Sequence, residues 1–234
     1  MTKTSAPGRV WDLPVRLFHW ALVVLVALLW FSGEFGGLDI SVEAPVVGYV
    51  YLTNMDVHAL AGQGVLVLVL FRLCWGLWGS TTARFGHFVR GPKAALAEAR
   101  ALVKGRLPTT TGHNSLGGLM VVALLLVLAA QTATGLFAAD DLFFEAPLAH
   151  LVADATSKQL TGIHGQLATA LQVLVIAHIL AVVYYQCRGS KLIRAMVTGT
   201  KYQQVNEPLI FAPWWLALVT LALAAGVLAV LRSL

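Results

Sequence analysis

Five long apolar segments, separated by polar loops, constrain this chain more than any other feature of its sequence. A helix needs about 20 apolar residues to cross a bilayer, and each segment is long enough. Hydrophobic residues make up 58% of the 234 residues and charged residues only 12%, which argues against a water-soluble globule. The sequence therefore predicts an all-α integral membrane protein, with transmembrane helices at about 14–33, 57–79, 115–138, 161–186 and 213–231.

The loops between these segments alternate in charge. The basic residues of the N-terminal arm, the second loop and the fourth loop are Lys3, Arg9, Arg16, Arg84, Arg90, Lys93, Arg100, Lys104, Arg106, Arg188, Lys191, Arg194 and Lys201. The acidic residues of the first and third loops are Glu34, Asp39, Glu43, Asp56, Asp140, Asp141, Glu145 and Asp154. The positive-inside rule places the basic loops and the N-terminus in the cytoplasm, and the C-terminus in the periplasm. The net charge of +5 then reflects contact with anionic membrane lipid and does not indicate a nucleic-acid partner.

Two histidines, His164 and His178, lie fourteen residues apart in the fourth apolar segment. Fourteen residues of helix return to within about 40° of the same face and rise roughly 21 Å. One helix therefore presents two imidazoles on one side, near opposite surfaces of the membrane.

Two other apolar segments supply a histidine at each of these depths. His19 lies near the inner end of the first segment and His58 near the outer end of the second. The predicted pairs are His58 with His164 and His19 with His178. Paired imidazoles fill both axial positions of a haem iron, which favours electron transfer, and no carboxylate at ligand spacing supports a di-iron site. The alternative is that each is a core histidine bonded to a neighbouring carbonyl or hydroxyl group.

Glycines and one arginine extend this pattern. Gly33 follows His19 by fourteen residues, Gly62 lies one turn beyond His58, and Gly117 and Gly135 share a face of the third segment, so they leave room for a porphyrin. Packed membrane helices also contain many glycines. Arg72 follows His58 by fourteen residues, where it could pair with a haem propionate or extend to a lipid phosphate.

The sequence resembles the prokaryotic cytochrome b561 family over about residues 10–200. The resemblance lies in Arg16-Leu17-Phe18-His19-Trp20, in His58 at the start of the second helix, in Gly112-His113-Asn114 before the third, and in the spacing of His164 and His178. This family includes the b-type subunits of nickel-iron hydrogenases and, more distantly, the membrane subunit of formate dehydrogenase.

The resemblance implies a four-helix bundle in a bacterial inner membrane that holds two haem b groups on these four histidines. It also implies exchange of electrons with quinone, either ubiquinone or menaquinone, and a quinone site at Asn114 beside the inner haem. We expect His113 to supply a titratable group there. The domain boundaries predicted are 1–200 for the di-haem unit and 201–234 for a linker and the fifth helix, which could be an anchor or could contact a partner or a second copy in a homodimer.

The function predicted is that of a quinone-oxidoreductase-type cytochrome, which transfers electrons between the quinone pool and a periplasmic partner. That partner would be a c-type cytochrome or a hydrogenase or dehydrogenase subunit. Two alternatives stay open. One is a stand-alone superoxide:quinone oxidoreductase, and the other is a non-redox transporter or anchor.

Overall fold

The computed structural model describes residues 8–44, 48–107, 110–140, 144–201 and 208–234. Among them, five helices are long and apolar enough to cross a membrane: α1 (Leu13–Glu34), α2 (Asn54–Trp78), α5 (Ser115–Gly135), α6 (Asp154–Cys187) and α8 (Trp214–Ser233). This confirms the predicted helical membrane protein. Lys3 and Asp141, used above to assign topology, lie outside the described residues.

Side-chain hydrogen bonds cap the N-terminus of each of the first three spanning helices. Asp12 caps α1 by accepting from the backbone N–H of Val15 at 2.8 Å. Thr53 and Asp56 form a reciprocal capping box at the start of α2, and the Asn114 side chain caps α5. Such caps satisfy backbone donors that have no partner inside the helix.

Helix α6 begins seven residues earlier than the sequence predicted. Its 34 residues correspond to a length of about 51 Å, well beyond the 30 Å of a hydrocarbon core. Most of the additional residues at its start are polar, and Ser157 Oγ donates to the backbone carbonyl of Phe137 at 2.8 Å. Tertiary contact, which hydropathy does not report, extends the helix beyond its apolar run.

We name the two sides of the bundle by their loops. The basic side is where α1 begins, α2 ends, α5 begins and α6 ends, and the acidic side is opposite. The basic side also carries α3 (Phe85–Phe88), α4 (Gly91–Val103), α7 (Leu192–Thr198) and the short antiparallel strands β1 (Gly8–Arg9) and β4 (Thr200–Lys201). Here Thr82 Oγ1 donates to Val10 O at 2.7 Å and Val10 N donates to Gly199 O at 2.8 Å. These bonds connect three separate loops.

The acidic side contains an antiparallel hairpin of β2 (Ile40–Ala44) and β3 (Gly48–Leu52), which the sequence analysis did not anticipate. Its residues Val42, Tyr49 and Tyr51 are exposed. The hairpin leads directly into α2, because β3 ends two residues before that helix begins.

Packing is unequal among the spanning helices. Helix α2 contacts α1, α5 and α8 and contains nine buried residues, whereas α6 packs on α5 and contains a single buried residue, Ser157. Midway along α6, Leu171 packs against a cluster centred on Val65, Val69 and Leu128. The main packing partner of α6 is α5, and its packing against α1 and α2 is weaker.

The fifth spanning helix packs against its own chain. Thr220 of α8 is 1% exposed, accepts from the Trp78 indole N–H at 3.1 Å and donates to Leu216 O at 2.7 Å. Ala224 is also buried in this contact, while Leu223 and Val227 face outward. One face of α8 is therefore covered by α2. The division of the chain near residue 200 and a homodimer both stay predictions.

Substituting Thr220→Val should destabilise the protein, because the indole N–H of Trp78 loses its acceptor. The loss should be about 1 kcal/mol in the free energy of unfolding, measured as a lower thermal midpoint in detergent. Leu223→Ala, in the exposed face of the same helix, is the matched control and should change the midpoint less. Equal effects of the two substitutions would show that the Thr220 contact does not hold α8 in place.

Candidate functional site

Four histidines form two pairs, one on each side of the Leu171 layer. The imidazole centroids of His58 on α2 and His164 on α6 lie 6.4 Å apart near the acidic side. Those of His19 on α1 and His178 on α6 also lie 6.4 Å apart, near the basic side. Each pair therefore spans the space between α6 and the α1–α2 half of the bundle.

This separation suits two imidazoles that share one metal ion. A metal–imidazole bond is about 2 Å long, so centroids on opposite sides of one iron lie roughly 6.3 Å apart. Direct hydrogen bonding between the rings would bring them closer. Within the described residues no group of three or more histidine, cysteine or acidic side chains could hold a metal ion, so each site has two protein ligands at most. A planar group with its own four donors, such as a porphyrin, fits this arrangement.

On the acidic side, hydrogen bonds set the tautomer of His58. Ser32 Oγ lies 2.8 Å from His58 Nδ1 and donates its own proton to Leu28 O at 2.8 Å. With its proton on Leu28 O, the hydroxyl accepts from His58 Nδ1–H, and this tautomer leaves Nε2 available to a metal. Metal-ligating histidines commonly donate their second nitrogen in this way.

His164 has the same tautomer by an independent contact. Its Nδ1 lies 3.0 Å from the backbone carbonyl oxygen of Gln131, which can only accept a hydrogen bond. The amide nitrogen of Gln131 lies 3.1 Å from His164 Nε2 and donates to it. Both acidic-side imidazoles thus present an unprotonated Nε2, and that of His164 is paired with an amide that a metal would replace.

The His19–His178 pair on the basic side has different neighbouring side chains. His19 Nδ1 is buried and has no hydrogen-bond partner in the described part of the chain. Trp20 packs edge-on against the ring, with centroids 5.1 Å apart. The four histidines are all partly buried, as expected for side chains that line a gap between helices.

Two of the glycines singled out above contact histidines. A Cβ at Gly33 would lie 3.4 Å from His58 Cε1, and one at Gly135 would lie 2.9 Å from His164 Cε1. The other two serve different purposes. Gly62 faces Leu29 and allows α1 and α2 to approach, and Gly117 adjoins the side chain of Asn114. The clearance predicted at Gly62 for a haem stays a prediction.

Asn114 lies at the basic side, in contact with α6. Its Oδ1 accepts from Gly117 N at 2.6 Å, and its Nδ2 donates to the Tyr185 hydroxyl at 2.8 Å. Glu98 of α4 accepts from Ser115 N through Oε2 at 2.7 Å, while its Oε1 is buried without a partner among the described residues. Sequence reasoning missed Tyr185, although it follows His178 by seven residues and so shares its helix face, about 10 Å away.

His113 is adjacent to Asn114 in sequence but points elsewhere. Its ring lies between Trp11 and Phe88, with centroid distances of 4.7 and 4.8 Å. Burial, and then the positive charges of Arg72 and Lys201, lower its pKa to about 3. The ring is neutral at physiological pH, and the proton-carrying role of His113 stays a prediction.

Arg72 shares one aromatic neighbour, Phe88, with His113. It is 3% exposed, and its guanidinium carbon is 5.0 Å from the Phe85 ring centroid and 5.8 Å from that of Phe88. Such burial is not that of an arginine extended to a lipid phosphate. Of the two interpretations of Arg72 given above, the structure favours an internal partner.

Comparison with known proteins identifies the family. The family described as prokaryotic cytochrome b561 matches residues 10–199. Two relatives, described as probable Ni/Fe-hydrogenase 1 B-type cytochrome subunits of Escherichia coli K12 and O157:H7, are each 32% identical over 78 residues, 32% of this chain and 33% of the relative. The match thus spans about a third of the length of these relatives. No solved structure matches significantly.

The family match covers four of the five spanning helices and all four paired histidines. Haem b is the cofactor that this family implies, and the imidazole spacing and the glycines beside His58 and His164 fit it. The chain belongs to the prokaryotic cytochrome b561 family, and is a multi-pass membrane cytochrome of the b type that functions in electron transfer.

Proposed function

We propose that this protein holds two haem b groups and transfers electrons across a bacterial inner membrane, between the quinone pool and a periplasmic redox partner. The observation that carries this proposal is the pair of 6.4 Å imidazole separations, one toward each side of the bundle. A single haem site would not need four histidines at two depths. Bound haem b supplies one-electron chemistry that none of the twenty side chains offers as readily.

In this proposal the Nε2 atoms of His58 and His164 hold the acidic-side haem, and His19 and His178 hold the basic-side haem. Ser32 and the Gln131 carbonyl keep the two acidic-side rings in the correct tautomer. Gly33 and Gly135 leave the space beside these rings. Leu171 and its apolar neighbours separate the two sites and exclude water from the middle of the bundle.

The charge of the loops supports an orientation with the basic side in the cytoplasm. Arg90, Lys93 and Arg188 are exposed there, whereas Glu34, Asp39 and Glu43 are exposed on the other side. By the positive-inside rule the N-terminus is then cytoplasmic and the C-terminus periplasmic. The acidic-side haem would face the periplasm.

We place the quinone near Asn114 and Tyr185, on the basic side. Tyr185 is close to His178 along one helix face, so a quinone here would be within short electron-transfer reach of that pair. Quinone chemistry also exchanges protons, and the exchangeable groups at this place are Glu98 and Tyr185. The amide of Asn114 and the phenol of Tyr185 provide donors for a quinone carbonyl.

The periplasmic partner would bind the acidic side. The name of the Escherichia coli relatives associates them with a Ni/Fe-hydrogenase, so a hydrogenase subunit is one candidate partner for this chain. A c-type cytochrome or a dehydrogenase subunit is another. The exposed carboxylates beside the β2–β3 hairpin would favour a basic surface on whichever protein docks there.

Single substitutions of the four histidines test the pairing. Alanine at any one of them should lower the haem content from two per chain to one, measured by reduced-minus-oxidised spectra and haem quantitation. The double variant His58→Ala/His164→Ala should still hold one haem, whereas His58→Ala/His178→Ala should hold none. His150→Ala, at an exposed site on the acidic side, should keep both. A haem-free wild-type chain would end the proposal, and a crossed pattern would overturn the pairing.

The close approach of Gly135 to His164 predicts a selective effect. Gly135→Ala should displace the imidazole and weaken haem binding at the acidic side by roughly tenfold, since overpacking costs about 1–3 kcal/mol. Gly162→Ala is the control, because no side chain or distant backbone atom lies within 4 Å of a Cβ there. Titration of haem into haem-depleted protein measures the haem affinity of both variants. Equal affinity of the two variants would contradict the proposed role.

The quinone site can be tested without unfolding α5. Asn114→Asp keeps the capping oxygen but removes the Nδ2 donor, and Tyr185→Phe removes the hydroxyl. Both should slow haem reduction by a quinol at least tenfold, while reduction by dithionite stays unchanged. Tyr184→Phe, on the neighbouring exposed side chain, should behave like the wild type. Normal quinol-driven reduction in both site variants would move the quinone site elsewhere.

A further inference from the structure

Arg72 is a buried charge without an adequate partner. It lies in a membrane-spanning helix, is 3% exposed, and its Nη1 has no hydrogen-bond partner among the described residues. Contacts with the Phe85 and Phe88 rings offset only part of the free-energy cost of burying an ion. Ionisable groups retained at such positions generally serve a binding or transport function.

The nearby carboxylate does not complete this site. The charge of Asp12 acts on Arg72, but both Asp12 oxygens are engaged. Oδ1 accepts from Val15 N at 2.8 Å, and Oδ2 accepts from the Trp75 indole N–H at 3.0 Å. The Nη1 donor of Arg72, which has no partner among the described residues, is available to a second anion.

His113 provides a second unused nitrogen at the same place. Its Nδ1 is buried and has no partner within the described ranges. The Phe88 ring connects the two groups, since it contacts both His113 and the Arg72 guanidinium. A neutral histidine carries one N–H donor, so the two side chains together offer a charged donor and a neutral one.

These donors lie at the level of the basic-side histidine pair. Arg72 follows His58 by the same fourteen residues that separate His178 from His164, and His113 directly precedes the cap of α5 on the basic side. Phe71, next to Arg72, packs against Phe18, next to His19. The unused nitrogens of Arg72 and His113 therefore lie at the same depth of the bundle as His19 and His178.

We propose that Arg72 and His113 form a carboxylate pocket that holds the propionate groups of the haem bound between His19 and His178. This inference rests on the proposed function and reassigns His113 from quinone chemistry to cofactor binding. Guanidinium groups bind carboxylates in a bidentate manner, and burial strengthens the bond. The positive charge of Arg72 also disfavours the oxidised, more positive state of the site, so it raises the midpoint potential of this haem alone.

Potentiometric titration of the purified, haem-loaded protein tests the pocket. Arg72→Gln should lower the midpoint potential of the basic-side haem by about 59 mV, a tenfold change in the reduced-to-oxidised ratio. It should also make that potential pH-dependent between pH 5 and 8, because an unpaired buried carboxylate takes up a proton more readily. His113→Phe should have a smaller effect of the same sign, and His113→Asn, which keeps a donor, should restore most of it.

Arg72→Lys keeps the positive charge and should retain most of the wild-type midpoint potential. This variant tests the pocket if Arg72→Gln does not fold. The exposed Arg90→Gln controls for loss of charge on the same side and should change nothing. The acidic-side haem is an internal reference. If the wild type holds two haems and none of the pocket variants moves either potential, the pocket is refuted while the proposed function stands. Slower quinol oxidation at unchanged potentials would instead assign these donors to the quinone and overturn the proposal.

Discussion

The gap between α6 and the α1–α2 half of the bundle is the constraint on which the rest of the structure depends. Helix α6 packs on α5, and it reaches the opposite half through Leu171 and the two histidine pairs. Packing interactions that would close the gap are thus limited to its middle. The two histidine pairs lie on either side of Leu171, and each pair combines one imidazole from α6 with one from the α1–α2 half. A binding function is therefore built into the way the bundle is packed.

The positions of the spanning helices and the levels of the histidines could be predicted from the sequence. Both depend on local properties: hydropathy over about 20 residues, and a helical period that places His164 and His178 on one face. The β2–β3 hairpin and the early start of α6 could not be predicted in this way. They depend on strand pairing and on contacts such as that between Ser157 and the Phe137 carbonyl, which connect distant residues.

The residues of the candidate site also divide into features that could be predicted from the sequence and features that could not. The fourteen-residue spacing from His58 associates Arg72 with the histidine-bearing face of α2, but its burial arises from the loop that follows α2 and brings Phe85 and Phe88 to its guanidinium. His113 and Asn114 were predicted to share one site because they are neighbours in the sequence. Their side chains nevertheless point in different directions at the start of α5. One caps that helix and contacts Tyr185, and the other packs against Trp11. Adjacent residues at a helix start often face different neighbours, so adjacency alone does not define a site.

The two histidine pairs differ in ways that bear on the direction of electron flow. On the acidic side both imidazoles donate their second N–H, to Ser32 and to the Gln131 carbonyl, which increases their basicity and favours an oxidised metal. On the basic side His19 Nδ1 has no partner among the described residues and Arg72 adds a buried positive charge, which favours the reduced state. Under the proposed assignment both differences act in the same sense. They favour transfer from the acidic side to the basic side, that is, from a periplasmic donor toward a quinone near Asn114.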